Sequence, residues 1–249
     1  ELHHKTGSDS LWSKLQHQLK ENYQILPQPH GIVKAQLGKE LEFEFALPRV
    51  ETYPAKDIYA HSDFTSKPVF NLSFEQASQR RDFTLNAIGA ALVNNHWELW
   101  DPLHGVTALQ ARELRPCNPT DFAKDPVRWV RAQRFAMKFG LKFSPALSEL
   151  LESMDLEQLS AHYVSEEAMK SGSPFLFWNQ LQTAETLPGR FQGGLAHPQI
   201  MEECFQENIA KLGFSNALLA GVFHTNEGWH LLLPLGGKGD KEITNWRER

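Results

Sequence analysis

The stretch Arg80-Arg81-Asp82-Phe83-Thr84-Leu85-Asn86-Ala87 decides how this chain of 249 residues is read. Two adjacent arginines present forked donors that suit phosphate. The carboxylate beside them can orient one guanidinium or accept from a ribose hydroxyl. Alone, Arg-Arg-Asp would be an ordinary surface salt-bridge cluster. Here it is followed by Asp101-Pro102 with Gly105, and then by Asp125-Pro126-Val127-Arg128 with Arg131, Ala132, Arg134 and Phe135. Between Arg80 and Gly140 there are nine Lys or Arg against six Asp or Glu, in a chain whose net charge is −5. Such a local basic surface suits a confined phosphate-bearing ligand better than indiscriminate nucleic-acid binding, although solvated helices also cluster charge by chance.

Upstream of this stretch the pattern is mixed. Leu11, Leu15 and Leu19 predict a helix over Ser10 to Glu21, and Pro27-Gln28-Pro29 predicts a turn. Strands are expected at Ile32 to Ala35 and at Leu41 to Phe45, where apolar and acidic residues alternate strictly until Pro48. Residues 50–70 hold turn formers without period and read as a loop. Downstream, Ser73 to Leu92 reads as helical and His96 to Trp100 as a short strand. Further helices are expected near Thr107 to Arg112, from Pro126 to Phe139 with Gly140 as the stop, from Phe143 to Met154, from Ser160 to Gln182, and near Gln199 to Leu212. The Gly- and Pro-rich stretch 188–198 reads as a linker.

A chain with 41% hydrophobic and 22% charged residues can bury a core, as one large domain or two modest ones. No run approaches the roughly 20 apolar residues that span a bilayer. The two cysteines, Cys117 and Cys204, make no CxxC pattern, and the eleven histidines show no ligand spacing. No disulfide framework is indicated, and a reducing cytoplasm is the expected compartment.

The ordered succession of Arg-Arg-Asp, Asp-Pro-Gly and Asp-Pro-x-Arg motifs resembles the class II tRNA nucleotidyltransferases and the related bacterial poly(A) polymerases. The likeness covers about residues 30–150, and 155–175 weakly. It implies an α/β (α+β) fold: a partial nucleotidyltransferase head of mixed strands over residues 1–115, lacking its first strands. An all-helical neck carrying a base-reading helix would follow over 116–187, and a short helical body over 199–249. It implies that Arg80, Arg81 and Asp82 hold the sugar and phosphates of an incoming nucleotide, joined by Asn86 and Arg131. Asp125 and Arg128 would read the base edge, an acceptor beside a donor facing cytosine or adenine. The alternative for that pair is a helix N-cap and its salt-bridge mate. The partners implied are ATP and CTP with a tRNA or RNA 3′ end.

The resemblance also implies Mg2+, held by carboxylates. Neither the family's Gly-Gly-x-Val-Arg-Asp turn nor its Asp-x-Asp strand occurs in the sequence. Glu1-Leu2-His3-His4 resembles the segment that follows the Asp-x-Asp, so the chain is expected to start just past the second aspartate and to be inactive alone. Glu44, placed before Leu47-Pro48-Arg49, is the remaining catalytic and metal-binding candidate; it reads equally as an exposed strand glutamate, with Glu42 on the same face. Lys124 replaces the Glu that usually precedes Asp125, and should hold that carboxylate ionised. Ala108 stands where the family has an aspartate, and His162-Tyr163 where an acidic–basic pair is expected. The leading function is template-independent RNA 3′-end nucleotidyl transfer. The alternative is a degenerate nucleotide- or RNA-binding protein of the same fold, and the third reading an unrelated helical interaction protein.

Overall fold

The computed structural model describes residues 24–28, 32–37, 41–55, 58–61, 63–69, 71–191, 198–212, 222–225 and 228–231, together with His17. The helix expected over Ser10 to Glu21 lies outside these residues apart from His17, which is helical.

An antiparallel meander opens the fold: β1 (Gln24–Gln28), β2 (Ile32–Leu37) and β3 (Leu41–Ala46), in that spatial order. The two strands read from alternation are there, in a register that sets Lys34 opposite Glu44 and Leu37 opposite Leu41. Pro27 and Gln28, expected in a turn, belong to β1. As an edge strand, β1 tolerates a residue that cannot donate to the ladder. The stretch expected to be a loop contains a hairpin, β4 (Arg49–Thr52) against β5 (Thr65–Pro68).

The largest correction concerns Ser73 to Leu92. Only α1 (Phe74–Ser78) is helical; its Ser73 and Gln76 cap each other's backbone in a capping box. The arginine stretch leaves the helix because partners distant in sequence claim its backbone. Asp82 accepts from the Cys117 amide at 3.0 Å, Thr84 donates to Arg115 at 3.0 Å, and Phe83 bridges Pro116. A single 3₁₀ turn follows (Thr84–Ala87), and then a hairpin of β6 (Gly89–Val93) and β7 (His96–Trp100). Its turn residues Asn94 and Asn95 both have positive φ, 47° and 64°, the hand that suits a two-residue hairpin.

Asp101 gives the Asp-Pro-Gly motif its physical meaning. Its two carboxylate oxygens accept from the amides of Gly105 (2.6 Å) and Val106 (2.9 Å), at the start of α2 (Gly105–Gln110). A Cβ on Gly105 would lie 2.3 Å from the Thr84 carbonyl oxygen, so only glycine lets α2 close onto the 3₁₀ turn. The motif therefore braces the arginine segment.

The long helix is found where it was read, α4 (Pro126–Phe139), preceded by β8 (Glu113–Leu114) and the short α3 (Pro119–Phe122). Pro126 occupies its first turn, and Gly140 ends it at φ 61°, in the left-handed region. The segment expected to be all helical includes β9 (Lys142–Phe143), which pairs parallel with β8. The helices α5 (Pro145–Ser153), α6 (Ala161–Ser171), α7 (Pro174–Leu181) and α8 (Pro198–Leu212) follow. The single helix expected over Ser160 to Gln182 is two, divided at Gly172 (φ 83°) and Pro174, which ends a turn and begins one. Beyond α8, where a helical body was expected, β10 (Val222–Thr225) pairs with β11 (Gly228–Leu231).

Phe83 from the head packs with Phe122, Trp129, Phe135, Leu147 and Phe177 in one buried cluster, so the arginine motif is anchored by its own phenylalanine in the neck core. Trp129 Nε1 donates to the Leu151 carbonyl at 3.2 Å, which satisfies the one polar atom of a side chain only 1% exposed. No helix among the described residues is long and apolar enough to cross a membrane.

Candidate nucleotide site

Of the residues singled out in sequence, Arg80 and Arg128 line a cleft, Asp125 caps a helix next to Arg128 without lining it, Asp82, Asn86 and Arg131 form a brace, Arg81 is exposed, and Glu44 stands apart. The cleft has about 400 Å³ of empty volume and is lined by Arg49, Val50, Glu51, Tyr53, Gln76, Gln79, Arg80, Asp121 and Arg128. Its walls come from β4, α1 with the turn after it, and the α3–α4 junction. Arg80 and Arg128 were expected here. Arg49, Glu51 and Tyr53 were missed because their strand was read as loop; the Arg49 that follows Leu47-Pro48 was the available signal.

The cleft is rich in guanidinium groups. Arg49 Nε donates to Glu51 Oε1 at 2.9 Å, and Arg80 Nη1 stands 3.7 Å from the same oxygen. Burial, then repulsion from Arg49, with smaller repulsions from Arg81 and Arg128, lowers the pKa of Arg80 from its ordinary value; Glu51 opposes this. Arg128, only 6% exposed, donates through Nη2 to the Arg80 carbonyl at 2.8 Å and lies over the Phe122 ring at 5.8 Å. Its Nη1 and the Nε of Arg80 are buried with no hydrogen-bond partner among the described residues. Unpaired buried donors are costly, about 1–3 kcal/mol each, and mark where a ligand's acceptors would be welcome. Tyr53 adds a phenol whose pKa is pushed up to about 12, chiefly by burial, with the charge of Arg128 opposing and that of Asp125 adding.

Asp125 caps α4, accepting from the Val127 amide at 2.9 Å, and stands 3.7 Å from Arg128 Nε. Its carboxylate also receives His61, whose Nδ1 is 2.9 Å and 3.0 Å from the two oxygens. Lys124 turns away to Asp121 at 2.8 Å and covers the Tyr53 ring at 5.3 Å, so the ionising partner expected for Asp125 serves a different carboxylate.

Asp82, Asn86 and Arg131 form the brace. Asp82 Oδ1 accepts from the Phe83 amide and from Asn86 Nδ2, both at 2.8 Å, while Oδ2 accepts from Arg131 Nε at 2.7 Å. Burial pushes the Asp82 pKa up, but the Arg131 charge and the bonds from Asn86, Arg131 and Phe83 outweigh it and leave the carboxyl below its ordinary value. Arg131 in turn lies 3.5 Å from Glu167, and Arg134 Nε donates to Glu167 Oε2 at 2.5 Å. Glu167, 2% exposed, was not picked out in sequence, where nothing distinguishes it from Glu166 beside it. Arg81 is exposed; its charge, with those of Asp82 and Arg128, acts on the buried Cys117 thiol, whose pKa is pushed up to about 12 mainly by burial.

The depressed carboxyl of Asp82 has a pH consequence. A folded-state value below the unfolded one contributes stability above the ordinary carboxylate range, about 3.9 for Asp, that is lost as pH falls through the folded value. Asp82→Asn is therefore expected to flatten the acid limb of the stability profile below about pH 4. Urea titrations at a series of pH values check this, and an unchanged acid limb would show that Asp82 does not carry it.

Glu44 is the outlier. It is exposed on β3 opposite Lys34 and does not line the cleft. No group of three Asp, Glu, His or Cys side chains able to hold a metal occurs among the described residues. The described donor set therefore does not fit a Mg2+ site.

Residues 4–115 match the poly A polymerase head domain. The multifunctional CCA protein of Psychromonas ingrahamii is 32% identical over 155 residues, covering 58% of this chain and 36% of that protein. The A-adding tRNA nucleotidyltransferase of Aquifex aeolicus is 34% identical over 123 residues, covering 49% of this chain and 14% of that protein. A crystal structure of a tRNA nucleotidyltransferase complexed with a primer tRNA and an incoming ATP analog shares the fold at a TM-score of 0.57 and 21% identity, covering 85% of this chain and 60% of that one. Residues 4–115 thus match a head of the poly A polymerase type, and the relatives of 30% identity or more are CCA-adding and A-adding tRNA nucleotidyltransferases. It spans little more than a third of the length of the CCA proteins it matches.

Proposed function

We propose that this chain is the nucleotide-selecting part of a template-independent RNA 3′-end nucleotidyltransferase. It would use CTP and ATP to add CMP and AMP to tRNA, or AMP to RNA, in the cytoplasm. The observation that carries this is the pair of buried, unpartnered guanidinium nitrogens, Arg80 Nε and Arg128 Nη1, on residues that line one cleft beside Asp125. In this reading Arg128 donates to a base acceptor and Asp125 accepts from a base amino group, contacts together worth roughly 1–3 kcal/mol of discrimination. Arg80 and Arg81 neutralise phosphate, which positions every nucleotide alike. Asp82, Asn86 and Arg131 keep that arginine segment in place.

The Mg2+ implied by the resemblance needs carboxylates that the described residues do not gather, so no step is derived through it. The same donor set favours a second reading, in which this chain binds nucleotide without turning it over. Labelled CTP and ATP incubated with tRNA ends and Mg2+ are expected to bind this chain without being incorporated. Rapid extension would overturn the expectation of inactivity. Absence of any nucleotide binding would overturn both readings.

A further inference from the structure

Asp125 faces a competition. A carboxylate offers about four acceptor positions. The Val127 amide takes one on Oδ1, and the His61 Nδ1–H lies across both oxygens at 2.9 Å and 3.0 Å. Since a carboxylate only accepts, Nδ1 is the protonated nitrogen of the ring. The side chain of Asp125 is 9% exposed and that of His61 37% exposed, so the imidazole is the more solvent-accessible member of the pair. The ring has a second anchor: it meets Tyr163 of α6 edge to face, with centroids 4.5 Å apart. His61 thus bridges a head segment, the cap of α4 and the neck helix α6.

We propose that His61 is a specificity-determining positioning residue: its imidazole holds the acceptor edge of Asp125 in the nucleotide-free protein and is exchanged for the amino group of an incoming base. This rests on the base-reading role of Asp125 given above. Only a base that brings its own amino donor compensates the carboxylate for the lost His61 bond. Cytosine and adenine do so with the exocyclic amino group at C4 or C6, whereas uracil and guanine present a carbonyl at that position and would leave Asp125 facing an acceptor. His61 therefore sets an exchange cost that falls on the bases that engage Asp125, so that it moderates the native preference for cytosine and adenine over uracil. Tyr163 gives the displaced ring a surface to remain against.

Titration of this chain with CMP, AMP, UMP and GMP, followed by calorimetry and by the imidazole resonances of His61, tests the exchange. The His61 signals are expected to move on saturation with CMP or AMP and to stay in place with UMP. His61→Phe keeps a ring against Tyr163 and removes the donor. It should tighten CMP and AMP about tenfold, the scale of one charge-assisted hydrogen bond no longer to be broken, with little gain for UMP. His61→Gln, which restores an N–H donor, should return affinities toward the native values. An unchanged CMP-to-UMP ratio in His61→Phe, or equal weakening of all four nucleotides, overturns the assignment. Asp125→Asn, titrated alongside, separates the two levels. If it abolishes base preference while His61→Phe leaves that preference alone, only the role of His61 falls. If native protein and Asp125→Asn bind all four alike, base reading falls, and the exchange with it.

Discussion

Replacing Glu167 by alanine is expected to cost about 3–5 kcal/mol of stability and to lower the unfolding midpoint on the order of 10 °C. Glu167 is 2% exposed and is the carboxylate on which Arg134, Arg131 and Lys170 converge. Arg134 is itself only 8% exposed, so without Glu167 its guanidinium would remain buried with no counter-charge; the Phe135 ring, 4.4 Å away, replaces only part of that attraction. Lys170 is half exposed and contributes little by comparison. Glu167→Gln keeps the shape and one acceptor and should lose less. Thermal melts followed by circular dichroism give the comparison. An unchanged midpoint in Glu167→Ala would show that Arg134 finds another partner or water.

Arg128→Ala should remove base discrimination while preserving much of the phosphate-dependent affinity. Discrimination among CTP, ATP, UTP and GTP is expected to fall by roughly 1–3 kcal/mol, whereas Arg81→Ala should weaken all four about equally. Arg128 does a second job, since its Nη2 holds the Arg80 carbonyl. Some stability will be lost as well, and the ratios between nucleotides, not the absolute affinities, are the measure. Arg128→Lys keeps a charge but cannot serve the Arg80 carbonyl and a base edge together with one fork. It should therefore resemble the alanine variant in its ratios. Equal losses on all four nucleotides in Arg128→Ala would mean that Arg128 only holds the backbone, and base reading would have to be reassigned.

What could be read in advance was whatever local chemistry determines. Asp125, Pro126 and Gly140 bracket α4 because a cap, a first-turn proline and a left-handed glycine each act within one turn. The alternation of Leu41 to Phe45 gives β3 for the same kind of reason. Arg80-Arg81-Asp82 stood out, yet its helical reading failed, because Arg128 and Cys117 donate to the carbonyls of Arg80 and Asp82 and no local preference reports them. The hairpin of β4 and β5 was hidden by the turn formers between its strands, and with it the cleft residues Arg49, Glu51 and Tyr53. Asp82 was legible as a candidate, but its placement was not: a sequence shows a carboxylate beside two arginines, while the structure gives it to a third, Arg131. His61 and Glu167 carried no signal, since their partners Asp125, Arg131 and Arg134 lie far along the chain.

The reach of that brace sets an order of events during synthesis on the ribosome. Cleft walls begin at Arg49, yet the carboxylate that steadies Arg131 and Arg134 belongs to α6. Translation delivers about 5–20 residues per second, so Arg134 waits several seconds between emerging and receiving its counter-charge. During that interval Arg134 lacks its carboxylate, whereas Arg131 has Asp82 and Arg49 has Glu51 already translated. The neck side of the fold is therefore completed only when α6 arrives and gives Arg134 the carboxylate that its buried position requires.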